Sequence, residues 1–170
     1  LLSSRRRSVW LGVNLITAFI AVYFIGLFEA TLQQKIALAI LMPVVASMGG
    51  IAGTQTLIIV TRGIATGRVS AANIRLLINK EVAVSLLNGF IWSIVIGLIT
   101  FYWFSDLLLS FIIALAIIVN LVVAAFSGAF LPLMLTKLKI DPALAGGVIL
   151  TTIRDVIGFV AFLGLAALFI

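Results

Sequence analysis

Long apolar stretches separated by short polar connections set the architecture of this chain. Five runs are long enough to cross hydrocarbon: about Val9 to Phe28, Ile36 to Val60, Val82 to Phe104, Leu107 to Leu135, and Val148 to Ile170. A crossing helix needs roughly 20 apolar residues, because inside a bilayer only a helix or a closed barrel satisfies every backbone group. The pattern predicts an all-α, polytopic membrane protein of five transmembrane helices, with residues 1–170 forming one transmembrane domain. Only the connection from Thr61 to Glu81 is long. Within it, Ser70 is a candidate cap for a short interfacial helix in which Ile74, Leu77 and Ile78 face one way and Arg75 another; a plain basic linker is the alternative. Asp141 followed by Pro142 pairs an N-cap acceptor with a first-turn proline, so the fifth helix is expected to begin before its apolar run. Pro132 reads as a helix terminator or a kink.

Composition sharpens this picture. The chain is 64% hydrophobic and 9% charged, against roughly 25% charged for soluble chains, which excludes a soluble monomer. Its net charge of +6 does not point to nucleic acid, because the basic residues flank the apolar runs. Arg5, Arg6, Arg7, Arg62, Arg68, Arg75, Lys80, Lys137 and Lys139 all fall on one side of a five-span layout, and only Lys35 falls on the other, with Glu29 and Asp106. Basic residues stay cytoplasmic, so the expectation is a plasma (inner) membrane protein with its N-terminus in the cytoplasm and its C-terminus outside. The first run is as long as a full span and is followed by others, which argues against a cleavable signal peptide, and the start at Leu1 suggests a fragment. Cys and His are absent, which removes disulfides, thiolate or imidazole metal sites and every catalytic scheme using either residue. No organic cofactor is expected.

The polar residues inside the spans carry the candidate chemistry. An isolated charge at mid-bilayer depth costs several kcal/mol, so each one calls for a partner, water or an ion. Asp155 lies about a third of the way into the fifth run, with Thr151 one turn earlier and Gly147 two turns earlier. That row places carboxylate, hydroxyl and bare backbone on one stripe, which Thr152 and Gly158 widen. Arg154 is about 100° around the helix and need not pair with Asp155; a partner on another helix or snorkelling toward the cytoplasmic interface accounts for it. In the second span, Pro43 is followed by Gly49, Gly50, Gly53, Thr54 and Gln55. Such a small-residue stripe suits close helix packing, and it also bares carbonyl oxygens that suit a hard cation. Lys80 and Glu81 are placed to reach the interface, while Glu29 and Asp106 are expected to be solvated.

One intramembrane carboxylate beside a charge-free, glycine-rich helix suggests a sparse cation site. Two copies about a twofold axis would bring two Asp155 carboxylates to one divalent ion. Magnesium keeps several waters and is commonly held through one or two carboxylates, whereas calcium takes more oxygen ligands.

The run PVVASMGGIAGTQTLIIVTRGIAT resembles the signature helix of the MgtE magnesium channel family, and LPLMLTKLKIDPALAGGVILTTIRDVIG resembles the stretch leading into that family's fifth helix. NKE, ending in Lys80 and Glu81, resembles the start of its third span. The resemblance covers essentially the whole chain. It implies a homodimeric magnesium channel lined by the second and fifth helices, with Asp155 binding the hydrated ion. Members of that family usually carry a cytosolic N-terminal region with paired CBS domains, so the chain reads either as an isolated membrane domain or as a short relative gated differently. The chain departs from the family pattern where Ile51 and Thr54 stand at two usual asparagine positions and Gly147 at a third, which bears on selectivity among divalent ions.

The leading expectation is therefore passive conduction of Mg2+ as transported ion, with Asp155, Thr151 and Gly147 as metal-site residues and Gly49, Gly50, Gly53, Thr54, Gln55 and Thr152 lining the path. The partners expected are the lipid bilayer, a second copy of the chain and CBS-type domains. An ion-coupled exchanger and a non-conducting assembly module are the alternatives. An intramembrane enzyme is not expected, because no second acid or His stands opposite Asp155.

Overall fold

A computed structural model describes residues 2–69 and 73–170. Its helices are α1 (Leu2–Gly26), α2 (Glu29–Gln34), α3 (Ile36–Ala65), α4 (Ile74–Phe104), α5 (Leu107–Lys137) and α6 (Pro142–Phe169). All but α2 contain stretches long and apolar enough to cross a membrane, so the five predicted spans correspond to α1, α3, α4, α5 and α6. At 1.5 Å per residue, the 30 residues of α3 and the 31 of α4 each reach about 45 Å, past a hydrocarbon core of about 30 Å.

The segment from Ile74 to Glu81 is not a separate interfacial helix. It forms the first two turns of α4, because neither Gly nor Pro interrupts the chain there and the helix runs on unbroken. The proposed cap, Ser70, lies outside the described residues. Pro132 does not end its helix either: α5 continues to Lys137, and the Thr136 hydroxyl donates to the Pro132 carbonyl at 2.7 Å. Pro43 likewise sits inside α3.

α5 is the hub. It packs on α3, α4 and α6, whereas α3 scarcely touches α4 and α1 leans on α6. The sequence explains this: Ala124, Ala125, Ser127, Gly128 and Ala129 are all buried, and small side chains let helix backbones approach where apolar lipid offers no hydrophobic drive. Leu38, Leu41 and Val45 of α3, Ile112, Ile113, Ala116 and Ile117 of α5, and Phe162, Leu163 and Ala166 of α6 form the main core.

The predicted cap at α6 is present, with Asp141 Oδ1 accepting from the Ala143 N–H at 2.9 Å and Pro142 opening the helix. Asp106, expected to be merely solvated, has two structural roles. It caps α5 by accepting from the Leu109 N–H at 2.9 Å, and it takes an ion pair and hydrogen bond from Lys35, which joins the α2–α3 corner to the α4–α5 turn.

Candidate functional site

The glycines of α3 divide between two faces. Gly49 and Gly53 are buried toward α5 and α6: a methyl on Gly49 would meet the Asn120 amide at 2.5 Å, and one on Gly53 would sit 3.2–3.3 Å from Leu150 and Ala124. They serve helix approach and do not line the open face. Gly50, Thr54 and Gln55 lie on that open face, a groove of about 600 Å³ shared with Ala46, Ser47, Ile51, Ile58 and Arg154.

On α6, Thr151 and Thr152 turn their hydroxyls back to their own helix, donating to the Gly147 carbonyl at 2.8 Å and the Val148 carbonyl at 2.9 Å. Their oxygens can still accept, but their protons are committed. Gly147 is exposed and borders a separate cavity of about 380 Å³ with Thr61, Arg62 and Pro142. Asp155 is part-buried, and its Oδ1 is shielded from solvent without any hydrogen-bond donor.

Of the two readings offered for Arg154, the structure shows a partner on another helix and no snorkelling to the interface, and it also brings the side chain near Asp155. Its Nη1 donates to the Ala46 carbonyl of α3 at 2.7 Å, and its Nε lies 3.7 Å from Asp155 Oδ1, close enough for charge attraction but too long for a hydrogen bond. The side chain is long enough to curl back over the 100° between neighbouring positions. Gly50 makes the seat possible, since a methyl there would fall 2.1 Å from Nη1.

Asn120 was not singled out from the sequence. It is fully buried in α5 between Gly49 and Gly158, its Nδ2 donates to the Val45 carbonyl at 2.6 Å, and its Oδ1 has no partner. The signal was available: a lone carboxamide in the middle of a long apolar helix has to face protein. Glu81 also reaches inward, accepting from the Thr56 hydroxyl at 3.3 Å beside a cavity of about 580 Å³ between α3, α4 and α5 that Gln55 also lines. Among the described residues no group of three or more acidic side chains could hold a stripped metal ion.

These helices can be set beside known proteins. Residues 42–165 match the family model of MgtE, described as a divalent cation transporter. The magnesium transporter MgtE of Bacillus subtilis is 36% identical over 97% of this chain and 37% of its own length. Those of Thermus thermophilus and Enterococcus faecalis are 31% and 28% identical, over 94% and 98% of this chain and 35% and 37% of their own lengths. The chain thus spans little more than a third of these relatives. Matched from the start of α3's proline-glycine segment to the far end of α6, and built of five helices able to cross a membrane, the chain belongs to the MgtE divalent cation transporter family.

Proposed function

We infer that this chain forms the membrane-spanning part of a divalent-cation pathway, with Mg2+ as its first substrate. The observation that carries this reading is the Asp155 carboxylate: on a family-matched helix, it keeps a buried oxygen free of hydrogen-bond donors. Burying an oxygen in that state is costly, and a hydrated cation offers the missing donors through its water. The open α3 face of Gly50, Thr54 and Gln55 supplies neutral oxygens in the groove that Arg154 shares, while the Thr151 and Thr152 hydroxyls and Gly147, which borders a second cavity, offer further neutral oxygens on α6. Gly49 and Gly53 hold that wall close to α5.

A second copy meeting the open α3 face about a twofold axis would complete the conduit and bring a second Asp155 to share a +2 charge. The ion then moves passively down the membrane potential, which favours entry of a dication into the cytoplasm. The basic connections orient the N-terminus to the cytoplasm and the C-terminus outward in the plasma membrane, leaving cytosolic CBS-type domains of a longer protein on the side of Arg62 and Lys80. The magnesium named for the relatives, and the transport class of the family, support the choice of ion.

Mg2+ flux into proteoliposomes tests the reading. Asp155→Asn, which keeps shape and removes charge, should reduce flux by about tenfold or more. Unaltered flux in that variant would overturn the assignment. Current that follows voltage without a counter-ion gradient distinguishes conduction from coupled exchange.

A further inference from the structure

Arg154 brings a permanent positive charge to the one place where the reading above puts a cation. Three features converge on its guanidinium: the Ala46 carbonyl accepts from Nη1 at 2.7 Å, Asp155 Oδ1 stands 3.7 Å from Nε, and Gly50 leaves the space that any side chain would fill. A backbone carbonyl and a carboxylate oxygen facing one positive group form a donor set that a hydrated metal ion would also use. The guanidinium stays charged at every physiological pH, and both side chains are largely shielded, at 16% and 23% exposure, so water screens the pair only weakly. The contact is loose on the acid side, since Asp155 Oδ1 receives no hydrogen bond from it.

We propose that Arg154 is a tethered cation that competes with the transported ion for Asp155 and so sets the ion concentration at which the pathway half-saturates. This rests on the assignment of Asp155 as the ion-binding acid. Because the guanidinium is anchored to α3 and not to the carboxylate, it neutralises the acid in the empty state without closing a hydrogen bond to Asp155 Oδ1, so an arriving ion need not break one. Electrostatic repulsion scales with the charge of the newcomer, so Arg154 penalises a dication more than a monovalent ion. It is a specificity-determining residue, and Gly50 is the residue that admits it to the groove.

The test is concentration-dependent flux in proteoliposomes containing the full chain. Arg154→Gln and Arg154→Met should each lower the half-saturating Mg2+ concentration by about tenfold, with maximal flux within about threefold of wild type, and Arg154→Lys should stay near wild type. The logarithmic shift for Na+ should be about half that for Mg2+. In Arg154→Ala, millimolar guanidinium chloride should raise the half-saturating concentration back toward wild type while leaving wild type unchanged. Half-saturation unaltered in both neutral variants overturns the proposal. So does a loss of maximal flux equal for all cations with unchanged half-saturation, which would make Arg154 only a tie between α6 and α3. If Asp155→Asn conducts normally, the underlying ion-site reading fails instead; if it is impaired while the neutral Arg154 variants retain wild-type half-saturation, only the competition fails.

Discussion

Asn120 shows what one polar side chain does in an apolar bundle. Its amide fills the gap between Gly49 and Gly158 and ties α5 to the Val45 carbonyl of α3, so it fixes the depth of α6 one turn from Asp155. Asn120→Ala removes that bond and leaves a void, and should destabilise the protein by about 2–4 kcal/mol, read from thermal unfolding in detergent by tryptophan fluorescence. A loss under about 1 kcal/mol would mean that the three helices hold their register without it. At this scale the sequence was only partly legible. Asp155 stood out because a carboxylate in an apolar run is hard to explain as packing and calls for a partner, water or an ion. Asn120 did not, because a single uncharged residue barely alters the character of a 31-residue helix. The seat of Arg154 was hidden for a different reason: a flexible side chain chooses among neighbours on another helix, and periodicity along its own helix says nothing about them.

Between elements, α3 and α5 come backbone to backbone, where a methyl on Gly128 would come within 2.6 Å of the Gly53 carbonyl. That neighbour is backbone and cannot rotate away. Gly128→Ala should therefore cost about 1–3 kcal/mol or more, whereas Gly147→Ala, with nothing within 4 Å, should be neutral or add up to about 1 kcal/mol of helix stability. Denaturant unfolding of the two variants side by side checks the contrast; equal effects would refute it. The number and order of the spanning helices were readable because each apolar run is long and uninterrupted. The short α2 was missed, since six residues of mixed polarity carry no periodic signal. The apparent amphipathic segment at Ile74 misled because the same spacing fits an isolated surface helix and the polar head of a span equally well.

Across the whole molecule, the Lys35–Asp106 pair joins the two corners at the end predicted to face outside. Lys35's hydrogen bond, and then the Leu109 N–H, hold the Asp106 carboxyl below its ordinary 3.8. A carboxylate with a depressed folded-state pKa stabilises the fold above its unfolded value and loses that contribution as pH falls through the folded value. The contribution should be complete at neutral pH and erode below about 4. The difference in melting temperature between wild type and Asp106→Asn should therefore narrow from pH 7 toward pH 3. A gap of constant size across that range would contradict the role given to the pair. Charge counts could orient the chain but could not foresee this link, because Lys35 and Asp106 lie 71 residues apart and meet only once α3 and α5 are side by side.

The two-residue link through Ser105 and Asp106 makes α4 and α5 immediate partners, whereas α3 has to wait for α5 to arrive beside it and for α6 to supply Arg154. A nascent chain leaving the insertion machinery would thus zip its third and fourth crossings together early, because local contacts close fastest. The α3 face that holds Arg154 would be the last surface to set. Crosslinks between α4 and α5 should already form in a ribosome-stalled chain in which a linker long enough to clear the exit tunnel follows Lys137, and their absence there would reverse this order of assembly.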